Sequence, residues 1–191
     1  ATPPVNGLMF LYDQRQLETD RAKAGLSNKD KEAKKFLIDA RSVLEKVLGK
    51  KPNQEWVLAG YTVPGSTAVP GNQADRFASL NALAQYLAMH PEYQVPGGTP
   101  LPEVTAARAQ ALHTQISDCR QLVNDAEAAQ ETAKNNRDAA VTQGRKLLIA
   151  LVAELTLLIS ATDPRWEAFG LNIPANPRPP EPASNLVLSA A

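Results

Sequence analysis

Few residues of this chain are of a type that does chemistry, and their spacing decides most of them. The histidines are His90 and His113, and the single cysteine is Cys119. His113 and Cys119 stand six apart on a helical pattern, whereas a metal pair on one helix face wants a spacing of three or four. His90 directly precedes Pro91 at the end of a helical pattern, a place where histidine caps carbonyls. Cys119 falls on an apolar stripe beside Ile116 and Leu122 and reads as a small core residue, since a nucleophile would need a base and some exposure. Pro96-Gly-Gly-Thr-Pro100 has the glycines of a phosphate loop but lacks the Lys-Ser/Thr and the preceding strand. Asp13, Glu18, Asp20, Asp118 and Asp125 are dispersed among lysines and arginines, as on solvated helix faces. No enzyme, cofactor or metal is expected from these residues.

A triplet recurs instead. Trp56, Gly60 and Pro64 are spaced by four, and Trp166, Gly170 and Pro174 repeat the pattern about 110 residues on. A paired aromatic ligand site is one reading. The structural reading is that Trp anchors a helix end on the core, Gly leaves the helix at positive φ, and Pro sets the extended exit.

The elements that position these triplets also repeat. Phe36, Leu37, Ile38, Leu44, Val47 and Leu48 fall against Leu147, Leu148, Ile149, Leu155, Leu158 and Ile159, with one residue gapped before the tryptophan. Asp20 to Gly25 falls against Glu131 to Asn136. Each copy reads as helix, tight turn, helix. In the first, Leu8 to Ala24 is a helix, Gly25 its C-cap, Ser27 an N-cap with Asp30 in capping-box position, and Asn28 to Leu48 the return helix. In the second, a helix starts at Pro102 and carries Leu112, Ile116, Cys119, Val123, Ala126, Ala129 and Ala133 at helical spacing. Asn135-Asn136 then either breaks a hairpin or lies within one helix of nearly 60 residues; Gly25 and Ser27 of the first copy favour the hairpin. Between the copies, Ala74 to Met89 reads as a packing helix stopped by Pro91, and Tyr93 to Pro102 as an extended connector.

The predicted fold is therefore all-α, a four- or five-helix bundle from two related helical-hairpin halves with proline-rich connectors and a C-terminal arm. The divisions are 1–64, a first helical repeat; 65–102, a linker with one helix; 103–174, a second repeat; and 175–191, the arm. Pro174 to Pro182 has five prolines in nine residues and should be stiff. The following Leu186, Val187 and Leu188 are strand-like but too short for a sheet alone.

Residues 74–191 resemble the uncharacterised helical regions that precede fibronectin type III-like domains in some bacterial proteins. Pro91-Glu-Tyr-Gln-Val-Pro96, the Leu147 to Ile159 helix, Asp163-Pro-Arg-Trp166 and the Pro179-Pro-Glu-Pro-Ala-Ser-Asn-Leu-Val-Leu tail carry the resemblance. It implies that the tail resembles the entry into a sandwich strand; such a sandwich takes about 100 residues, and the sequence stops within that strand. It implies no activity.

Composition narrows the partners. With 43% hydrophobic residues the chain can bury a core, and 20 basic against 20 acidic residues provide no field for nucleic acid. The longest apolar run, Leu147 to Ile159, contains Glu154 and falls short of the ~20 residues of a membrane span. No signal-peptide pattern is present, which fits either a cytoplasmic or an exported chain. The expectation is a non-enzymatic structural or self-assembly subunit whose arm (Pro179, Pro180, Pro182, Leu186, Val187, Leu188) contacts a neighbouring copy or builds a filament. The alternative is a monomeric helical protein-binding or adaptor module.

Overall fold

A computed structural model of the chain describes residues 5–98 and 101–174. The fold is mostly all-α, with five helices among the described residues: α1 (Val5–Leu48), α2 (Gln54–Leu58), α3 (Gln73–Met89), α4 (Ala106–Leu158) and α5 (Arg165–Ala168). Between α3 and α4 lie a 3-10 turn, Pro91–Tyr93, and a two-stranded antiparallel hairpin, β1 (Val95–Gly98) with β2 (Leu101–Val104). The chain divides into two compact units, 1–136 and 137–191. The arm residues Pro179, Pro180, Pro182, Leu186, Val187 and Leu188 lie outside the described residues.

The core of the first unit is built where three helical stripes meet. Ala33, Leu37, Ala40 and Leu44 of α1 are spaced 4, 3, 4 and are fully buried, which places them on one face. Leu80, Leu83 and Leu87 of α3 and Ala109, Leu112 and Ile116 of α4 complete this core. Trp56, Tyr61 and Val104 close it. Gln94 ties the end of α3 to the start of α4, donating from Nε2 to Leu87 O (2.8 Å) and accepting from Ala106 N–H (3.2 Å).

The hairpin halves are not what forms. Residues 8–48 lie in one helix, and so do residues 106–158. The reason lies in dihedrals and distant partners. Gly25 does not take a positive φ, so it costs helix propensity, about 1 kcal/mol relative to Ala, without ending the helix; Gly49, at φ 78°, ends it instead. Asp30, expected in a capping box, accepts the guanidinium of Arg76 from α3, with Arg76 Nε at 2.9 Å. Asn135 and Asn136 sit inside α4, as weak breakers can.

Two boundaries also shift. Residues 91–93 form a 3-10 turn and 95–98 pair antiparallel with 101–104 rather than forming an extended connector, and Gly97 (φ 86°) and Gly98 (φ 143°) give β1 dihedrals that side chains disfavour. Pro102 belongs to β2, and α4 begins at Ala106, where Thr105 Oγ1 accepts from Arg108 N–H (3.1 Å). The packing helix forms as Gln73–Met89, with Asn72 as its N-cap accepting from Asp75 N–H (2.8 Å).

Candidate functional site

The tryptophan and glycine of the two triplets share their hydrogen-bond pattern. Trp56 lies in α2 and Trp166 in α5, both buried. Each indole N–H donates to a carbonyl a few residues upstream: Trp56 Nε1 to Gly49 O at 3.0 Å, Trp166 Nε1 to Ser160 O at 2.9 Å. Each short helix then ends in one pair of bonds. Gly60 N–H reaches Val57 O (3.0 Å) and Tyr61 N–H reaches Trp56 O (2.9 Å). Gly170 N–H reaches Glu167 O (2.9 Å) and Leu171 N–H reaches Trp166 O (3.0 Å). This is the Schellman arrangement, which needs a left-handed residue after the cap; Gly60 and Gly170 meet it at φ 91° and 73°. Each indole is thus a buried, hydrogen-bonded helix anchor inside its own unit.

Pro64 differs from expectation. Pro64 is in a turn, Val63 to Ser66, closed by Ser66 N–H to Val63 O (3.1 Å), with Gly65 at φ 65°. Pro at the second position and a positive-φ Gly at the third form a type II turn, so the exit bends where an extended segment was expected. Gly60 has a further constraint that Gly170 lacks: a Cβ there would lie 2.7 Å from Ser79 O, while Ser79 Oγ donates to Gly60 O at 2.7 Å.

The remaining chemistry-bearing residues are held in aromatic and polar packing. His113 stacks on Phe77 of α3 at 4.0 Å and 19°, and the Arg120 guanidinium lies 4.2 Å over the same ring. Burial, and secondarily the Arg120 cation, hold His113 below its ordinary pKa. His90 caps α3 through its backbone N–H to Tyr86 O (3.0 Å). Its ring stacks on Tyr93 and its Nδ1 is 3.2 Å from Glu92 Oε1. The Glu92 carboxyl is lowered by its backbone hydrogen bond and by His90. Tyr86, raised mainly by burial, donates to Glu55 Oε2 (3.0 Å). Cys119 is half-buried rather than buried, and Leu122 beside it is exposed. Asp13, Glu18, Asp20, Asp118 and Asp125 are all exposed.

A cleft of about 380 Å³ between α1 and the hairpin is lined by both signs of charge, among them Glu32, Lys35, Asp39, Glu103 and Arg108. Its charged residues are half-buried or exposed. Among the described residues, no group of three or more His, Cys, Asp or Glu side chains could hold a metal ion. Among them, too, no helix is long and apolar enough to cross a membrane.

Two features escaped sequence reasoning. One is the Arg76 clamp: besides Asp30, Arg76 Nη1 donates to Pro70 O (3.1 Å) and Gly71 O (2.6 Å), and its side chain is 8% exposed. An arginine on the predicted packing helix carried no sign of burial. The other is what α4 leaves bare. Leu147, Leu148, Ile149, Leu151, Leu157 and Leu158 are 50–86% exposed, although the sequence shows them as the most apolar run of the chain.

No family model, curated protein or solved structure matches this chain.

Proposed function

We propose that this chain is a non-enzymatic structural or self-assembly subunit, a helical body that joins a neighbouring copy with its C-terminal arm as one contact. The observation that carries the reading is the bare leucine run at the end of α4. A helix apolar on most sides is ordinarily buried, and patches of a few hundred Å² mark interaction sites. The equivalence of the two tryptophan caps supports an internal repeat, two copies of one helix-to-cap unit.

Light scattering on a sizing column tests it, comparing the intact chain with one ending after Pro174. The reading expects the intact chain to exceed monomer mass in a concentration-dependent way and the shortened chain to lose part of that association. Monomers of both at all concentrations refute it. The same bare run supports a second reading, a monomeric module that takes up the helix or groove of a different protein; a folded monomer that exposes this surface is what that reading requires.

A further inference from the structure

The two copies of the apolar helix differ in one respect that points to a partner. Ala33, Leu37, Ala40 and Leu44 of α1 are fully buried, packed in the core that the leucines of α3 share. The positions equivalent to them, counted back from the second tryptophan cap with the one-residue gap, are Gly144, Leu148, Leu151 and Leu155. Leu148 and Leu151 are 60% and 50% exposed, and Gly144 and Leu155 are half-buried. The same stripe is thus covered by a leucine helix in the first unit and bare in the second.

We infer that this stripe is covered by the same stripe of a second copy, the two α4 helices running antiparallel about a two-fold axis between Ile149 and Ala150. The inference rests on the self-assembly reading and names its interface. Val141, Gly144, Leu148, Leu151, Leu155 and Leu158 are spaced 3, 4, 3, 4, 3, the seam of a coiled coil. The antiparallel register layers Leu148 on the partner's Leu151, the small Gly144 on the partner's Leu155, and Val141 on the partner's Leu158. The parallel register would set Gly144 on the partner's Gly144 and leave a gap, which close-packed interiors do not tolerate. It would also set Arg145 and Lys146 level with their own copies; the antiparallel one sets them near the height of the partner's Glu154. None of these three side chains has a charged partner among the described residues.

Area favours a copy over a polar partner. Leu148, Leu151 and Leu158 of the seam are 60%, 50% and 80% exposed, roughly 190 Å² per copy at about 100 Å² for a fully exposed leucine side chain. Self-pairing removes this area on both sides at once. Its total is smaller than the roughly 1,200–2,000 Å² of a stable complex, so the pair dissociates on dilution.

Two measurements on the full chain test this. A spin label at Ala139→Cys, in a Cys119→Ser background, is 21 residues from the level of its partner in the antiparallel pair, or about 32 Å along the axis; a parallel pair holds the labels within about 20 Å. The double variant Leu148→Lys/Leu151→Lys alters exposed positions only, so it is expected to keep its helical circular dichroism while its dimer weakens at least 100-fold. Long label distances together with a monomeric double variant support the inference. Short distances overturn the antiparallel register. A dimer unaffected by the two lysines overturns this interface while leaving self-assembly through the arm standing. A wild-type chain that is monomeric throughout overturns both.

Discussion

Replacing Arg76 should unfasten the first unit. The side chain is 8% exposed and joins three segments at once: the Asp30 carboxylate on α1 and the carbonyls of Pro70 and Gly71 ahead of α3. Arg76→Ala leaves a carboxylate that is 18% exposed without its cation, and two carbonyls without a donor. Breaking a buried pair from one side costs about 3–5 kcal/mol. At roughly 2–4 °C per kcal/mol for a chain of this size, the melting temperature should drop by about 6–20 °C. Asp30→Ala should cost less, about 2–3 kcal/mol, because Arg76 keeps its two carbonyl acceptors. The double variant should fall short of the sum by about 1–3 kcal/mol, the coupling of side chains in one network. Urea unfolding followed by circular dichroism reads all four corners of the cycle. A loss below about 1 kcal/mol for Arg76→Ala, or additivity within about 0.5 kcal/mol, would refute the reasoning.

Two further predictions follow from the caps and from the histidine. Gly60→Ala must place a Cβ at positive φ and against Ser79, costing about 2–5 kcal/mol, whereas Gly170→Ala meets open space and should cost only the backbone strain, about 1–2 kcal/mol; equal losses in urea titrations would contradict the close approach. His113 is held below its ordinary 6.5, so as the pH falls the unfolded chain takes up the proton first. Stability should therefore decline below about pH 6.5 until the folded-state imidazole itself titrates. His113→Phe should flatten that portion of the melting temperature against pH, and an unchanged slope would show that other groups cause it.

Legibility in the sequence followed how local the determinant was. Helix α3 was readable almost to the residue, from Ala74 where it starts at Gln73, because Pro91 stops it after Met89. The apolar stripe of α4, with Leu112, Ile116, Val123 and Ala133 buried, was readable from spacing alone. The positive φ of Gly60 and Gly170 followed from their place after a tryptophan helix. What failed were the breaks expected at Gly25 and Asn136. A Gly-x-Ser pair looks like a helix boundary in isolation, but Asp30 finds Arg76, 46 residues away, and that bond requires no cap at Ser27. The pairing of 95–98 with 101–104 was hidden by its own prolines, which read as a connector, yet Val95, Pro96 and Gly98 pair with Val104, Glu103 and Leu101. The candidate site fared similarly: spacing revealed the tryptophan triplets, and only the three-dimensional arrangement shows that one leucine stripe is covered and its counterpart bare.

The two indoles amount to a built-in pair of optical reporters. Each unit holds a single tryptophan, each is buried, and each points its N–H at a carbonyl of its own unit. With Trp166→Phe the emission of the chain speaks only for the first unit, and with Trp56→Phe only for the second. Coincident transitions would mean that the uninterrupted α4 makes the chain one cooperative block. Separate ones would make the boundary near residue 136 a place where one unit melts while the other persists.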